Sequence, residues 1–139
     1  YHTPHGLANA IVLPHVLRYS LPDITDRLAA LAVRARLGDD SEREDLLAQK
    51  FIDGVVALER DIGIPTHLAA LKEADIPNLA RAACHEAHTG YPVPRYLTQQ
   101  GCEDLIRLVL PPADPGRRAA KPAAKKTSAR KPRGSTTSN

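Results

Sequence analysis

An all-α fold is predicted for this chain of 139 residues from three observations. Apolar residues recur at three- and four-residue spacing through most of the first 110 positions. No segment shows the strict alternation of a half-buried strand. Aromatic residues are scarce (four Tyr, one Phe, no Trp), and Ala and Leu dominate the apolar set. That composition suits packed helices better than an aromatic-rich sandwich. The reading is one helical domain over 1–110, with five to seven helices from residue 6 onward, and a tail over 111–139.

The first helix is read from Gly6 to Ser20, with Ala8, Ile11, Val12, Val16 and Leu17 near helical spacing. Pro14 lacks a backbone donor and is expected to kink it or open a second segment, and Pro22 to stop it. Asp23 or Thr25 then caps a helix through Leu28, Leu31, Ala32 and Ala35 to Gly38, read as its C′ glycine. Ser41-Glu42-Arg43-Glu44 has capping-box spacing, with Ser41 as the cap and Glu44 reaching back. The helix it opens carries Leu47, Phe51, Val55, Leu58 and Ile62 on one face, with Leu46 alongside. Gly63 ends that helix and Pro65 prevents it from resuming. Thr66 is expected to cap a short helix through Leu71. Asp75 precedes a helix with Pro77 near its first position, running to about His88. A loop from Thr89 to Leu97 follows. Thr98 then caps a last helix with Leu105, Ile106, Leu108 and Val109 as its apolar face.

The net charge of +3 conceals two regions. Residues 1–116 hold 11 Lys/Arg and all 16 acids, a net of −5, whereas residues 117–139 hold eight Lys/Arg and no acid. The tail is rich in Lys, Ala and Pro, has no apolar side chain larger than Ala, and is expected to be disordered. It reads either as an inert extension or as an arm making non-specific nucleic-acid contacts through phosphate. Cys84 and Cys102 lack C-x-x-C spacing and are read as a reduced pair. No signal peptide is visible and the apolar stretches are too short to span a bilayer, so a cytoplasmic protein with no membrane contact is expected. Neither G-x-G-x-x-G nor G-x-x-x-x-G-K-[ST] occurs, so this segment is not expected to hold a nucleotide by itself.

Six histidines carry the evident chemistry. His2 and His5, and His85 and His88, stand three apart, a spacing at which two imidazoles can share a helix face and bind one metal. Surface or hydrogen-bonded histidines have the same spacing, and no acid lies near His5 in sequence. His15 and His67 are isolated.

The sequence from Pro4-His5-Gly6 through Asn9-Ala10 to Leu13-Pro14-His15-Val16 resembles the close of the signature of iron-containing (group III) alcohol dehydrogenases. Downstream, Gly63-Ile64-Pro65, Asp75-Ile76-Pro77 with Leu79-Ala80, and Pro94-Arg95 followed by Thr98 are similar to that family's later motifs in the same order. Val93 stands where the family usually has Asn. The resemblance covers about residues 1–110. It implies the helical C-terminal domain of the dehydroquinate synthase-like fold, and a chain that begins just before the last metal-ligand histidine. His5 is then implied to ligate Fe²⁺, or Zn²⁺ in its place, through a neutral imidazole. Gly6 is implied to allow close backbone approach, Asn9 to bond nearby backbone, and His88 to lie at the mouth of the substrate pocket.

The implied activity is interconversion of a small primary alcohol or diol and its aldehyde, with NAD or NADP bound mainly by an N-terminal half outside this sequence. The other metal ligands also lie upstream in the family, so the chain alone is expected to be inactive. A homodimer is a further implication. A different class of function competes with this one: a remnant helical module whose basic arm, residues 117–139, binds nucleic acid.

Overall fold

A computed structural model describes residues 3–90 and 92–112. The tail expectations, and His2, lie outside these residues. Four α-helices and one 3₁₀ turn make up the described chain, with no strand among the described residues. They are α1 (His5–Arg34), α2 (Glu44–Asp61), a 3₁₀ turn (Glu73–Asp75), α3 (Ile76–Thr89) and α4 (Gln99–Arg107). Helices α1 and α2 form one antiparallel pair, α3 and α4 a second, and α4 also touches α1.

Helix α1 runs on through Pro14 without a break. The interruption falls at Ile24, whose φ of −138° and ψ of 21° are non-helical. Two effects converge there. Pro22 cannot donate to the carbonyl four residues back. The Thr25 hydroxyl donates to the Leu21 carbonyl at 2.7 Å, a back-bond that bends helices. Thr25 therefore bonds backward, and Asp23 pairs with Arg95 at 3.5 Å. Neither acts as the expected cap.

The end of α1 also differs from expectation. Arg36, at φ 59°, takes the left-handed position assigned to Gly38. Leu37 N–H bonds the Ala32 carbonyl at 2.9 Å and Arg36 N–H bonds Val33 at 3.0 Å, the two closures of a Schellman turn. Leu37 then lies over Gly54 of α2, where an added Cβ would stand 2.6 Å from Leu37 Cδ1. Gly38 serves close packing instead, since its Cβ would meet Leu47 Cδ2 at 2.5 Å.

The capping box does not form. Arg43 holds the N-cap position of α2 and no side chain caps it. The acids organise the preceding loop: Glu42 Oε1 accepts Asp39 N–H at 3.0 Å and Asp39 Oδ1 accepts Ser41 N–H at 3.0 Å. At the other end of α2, Gly63 behaves as expected, with φ 77° and bonds from Gly63 N–H to Arg60 and Ile64 N–H to Glu59. The buried stripe of α2 is Leu47, Ala48 and Ile52. Leu58 and Ile62, expected on that face, are 60% and 64% exposed.

No helix starts at Thr66. The turn is drawn across the molecule by Leu68 N–H, which donates to the Val109 carbonyl at 2.8 Å. Ile11, Leu71, Ile76 and Val109 bury together there, and join α1 to the second pair. Helix α3 begins with Pro77 in its first turn, as expected. Thr98 Oγ1 caps α4 by accepting Gly101 N–H at 3.1 Å. Ala80, Cys84 and Cys102 fill the space between α3 and α4, and both cysteines are free thiols. No described helix is long and apolar enough to cross a membrane.

Candidate functional site

His5 is the first residue of α1 and is exposed. Its Nε2 lies 3.0 Å from Asn9 Nδ2, one helical turn on. Asn9 thus engages the His5 ring rather than backbone. A Cβ on Gly6 would meet nothing within 4 Å, so the close approach expected at Gly6 does not occur among the described residues. Those residues also contain no group of three His, Cys, Asp or Glu side chains that could hold a metal. His5 is at most one ligand of a site completed by other residues.

His88 sits in the last turn of α3, stacked on Tyr96 with ring centroids 4.4 Å apart and planes 9° from parallel. Its Nε2 donates to the Leu97 carbonyl at 3.0 Å. The same loop is tied to α1. Tyr19 Oη donates to the Tyr96 carbonyl at 2.7 Å, Arg95 Nη1 donates to the Tyr19 carbonyl at 2.9 Å, and the Arg95 guanidinium lies 4.9 Å from the Tyr19 ring centre. His5 and His88 belong to different helices, and neither lines the cleft described next.

That cleft, of about 580 Å³, opens between the middle of α1, the end of α2 and the turn after Gly63. His15 and Arg18 come from α1, Glu59 and Arg60 from α2, and Thr66 and His67 from the turn. Burial, and then the charges of Arg18 and His67, hold the His15 pKa below its usual 6.5. Burial pushes the Glu59 carboxyl up against the opposing pull of Arg18, and its Oε1 is buried with no hydrogen-bond partner. The sequence reading left His15 and His67 unassigned. No spacing joins them to Glu59, because three separate segments bring the groups together.

The described residues form a helical domain with one exposed imidazole, His5, at the head of its longest helix. Residues 1–110 match the model of the Fe-containing alcohol dehydrogenase family, C-terminal, and the chain belongs to that family. It is 37% identical over 110 residues to lactaldehyde reductase of Escherichia coli (strain K12), covering 78% of this chain and 28% of that protein. It is also 37% identical over 111 residues to 1,3-propanediol dehydrogenase of Klebsiella pneumoniae, covering 77% of this chain and 28% of the relative. A crystal structure of 1,3-propanediol oxidoreductase superposes with a TM-score of 0.72 at 33% identity, over 79% of this chain and 29% of that one. The chain therefore spans under a third of the length of these relatives.

Proposed function

We propose that this chain is the helical metal-binding part of an NAD(P)-dependent alcohol dehydrogenase that interconverts a primary alcohol or diol and its aldehyde. The observation that carries the reading is His5, exposed at the start of α1 within Pro4-His5-Gly6 and steadied by Asn9. When bound, Fe²⁺ or Zn²⁺ supplies Lewis acidity toward the substrate oxygen, and NAD(P) accepts or returns the hydride. His5 is suited to one coordination position through a neutral imidazole. Asn9 Nδ2 donates to Nε2, so in the neutral ring Nδ1 carries the proton and a metal would take Nε2 in place of the Asn9 amide. The open space beside Gly6 leaves room for the remaining ligands.

His88 is proposed as part of the alcohol pocket wall, made rigid by Tyr96 and the Leu97 carbonyl. A cytoplasmic homodimer is the form of the complete enzyme in this reading, on family resemblance.

The DNA upstream of the Tyr1 codon is expected to encode an H-x-x-x-H motif, a ligand Asp and a glycine-rich cofactor half. A start codon there without those motifs would refute the reading. In the longest natural polypeptide, His5→Ala should lower both bound iron, by metal analysis, and NAD(P)-dependent propanediol oxidation. The 139-residue chain by itself should show neither.

A second reading rests on charge. Eight Lys/Arg without an acid in residues 117–139 suit non-specific contact with nucleic-acid phosphates. DNA affinity that falls steeply with salt and disappears on deletion of 117–139 is its expected signature. Salt-independent retention would exclude it.

A further inference from the structure

The cleft between α1, α2 and the turn after Gly63 has a composition that the dehydrogenase reading does not use. Its volume of about 580 Å³ suits a small molecule. Arg18 has no hydrogen bond or ion pair among the described residues, whereas Arg60 beside it is engaged by Asp61 at 3.1 Å. Arg18 and His67 both face His15 closely enough to disfavour its protonation. Three groups from two segments, His15 and Arg18 of α1 and His67 of the turn, thus converge on one cleft. The only acid in the lining is Glu59. Burial raises its pKa against the pull of Arg18, and one of its oxygens is enclosed without a hydrogen-bond partner.

We propose that this cleft binds a small phosphate monoester, with the phosphate on Arg18, His15 and His67 and the organic body against Val56 and Leu108. Donors arriving from separate directions suit a tetrahedral group with several acceptor oxygens better than a single planar carboxylate. The apolar walls explain why an organic body is needed beyond the phosphate. A divalent cation does not fit, since Arg18 repels it and the lining provides no group of three ligands. His5 is not part of the lining, so the proposal stands or falls independently of the metal-ligand reading.

The test is an NMR titration of the histidine ring resonances in the 139-residue chain, with butyl phosphate, inorganic phosphate and butyrate as separate probes. The basic residues 117–139 also attract phosphate but include no histidine, so their binding is silent in this readout. Butyl phosphate is expected to shift His15 and His67 saturably, to leave His85 and His88 in place, and to raise the pKa of His15. Inorganic phosphate and butyrate should bind more weakly. Arg18 is exposed and makes no hydrogen bond or ion pair among the described residues, so Arg18→Gln should keep the fold and weaken binding by about tenfold or more. Arg18→Lys, which keeps the charge, should fall between the two. The proposal is overturned if His15 and His67 move no more than His85, if Arg18→Gln binds as tightly as the parent, or if butyrate matches butyl phosphate.

Discussion

The two helix pairs of this domain are held by different means. Between α1 and α2 the contact is aliphatic and continuous, with Ile24, Leu28, Ala29, Ala32, Leu47, Ala48 and Ile52 all buried. Schellman turns close both the α1–α2 loop and the far end of α2. Between α3 and α4 the buried residues are small, Ala80, Cys84 and Cys102, and the loop joining them is anchored to α1 through Arg95, Tyr19 and Tyr96. Small side chains bury little apolar area, so the second pair relies more on directed polar contacts than the first.

Substitutions on either side of that contrast should behave differently. Ile52, fully buried, is the aliphatic extreme. Ile52→Ala is expected to cost about 3 kcal/mol in chemical denaturation and to loosen the whole domain. Arg95→Ala removes a backbone bond, an ion pair and a stacked ring contact at once. It should cost about 1–2 kcal/mol, with lost amide protection in residues 92–107 and little change in α2. Equal loss of protection in α2 would show that the two pairs are not separately held. Arg36→Gly relieves the left-handed strain at φ 59° and should stabilise the hairpin by about 1 kcal/mol in the same denaturation assay.

The smallest effect at neutral pH concerns Cys102, whose pKa is pushed from 9.0 to about 11, first by burial and then by Cys84. The unfolded chain loses that thiol proton first, so folding stability should fall as pH rises from about 9 to about 11. A melting curve that stays flat across this window would remove the thiol pair from the account of the second region.

Where a side chain acts locally, the sequence was a reliable guide. Thr98 caps α4 through its own hydroxyl, Pro77 marks the first turn of α3, and Gly63 adopts the positive φ that its place after α2 demands. Distant partners overruled local signals elsewhere. Arg36 accepts a costly backbone conformation because Leu37 fits over Gly54, a contact that no pattern within α1 contains. The turn at Thr66 is drawn to Val109. Around Ser41 the competition is itself local, since Asp39 and Glu42 bond loop amides instead of capping α2. The candidate sites divide in the same way. His5 was legible because its neighbours in sequence form a motif, whereas the cleft around His15 needed three segments folded together.

The anchor between α1 and the 92–97 loop also bears on the order of folding. Its hydrogen bonds join residues 76 and 77 positions apart, while the hairpin is closed by a short connection. Closing so long a loop costs entropy before any contact compensates for it, so the hairpin should form early and the anchor late. Contacts made after the rate-limiting step act on departure from the native state rather than on arrival. Arg95 and Tyr19 therefore govern how long the second pair stays docked, and leave almost untouched how fast the domain first assembles.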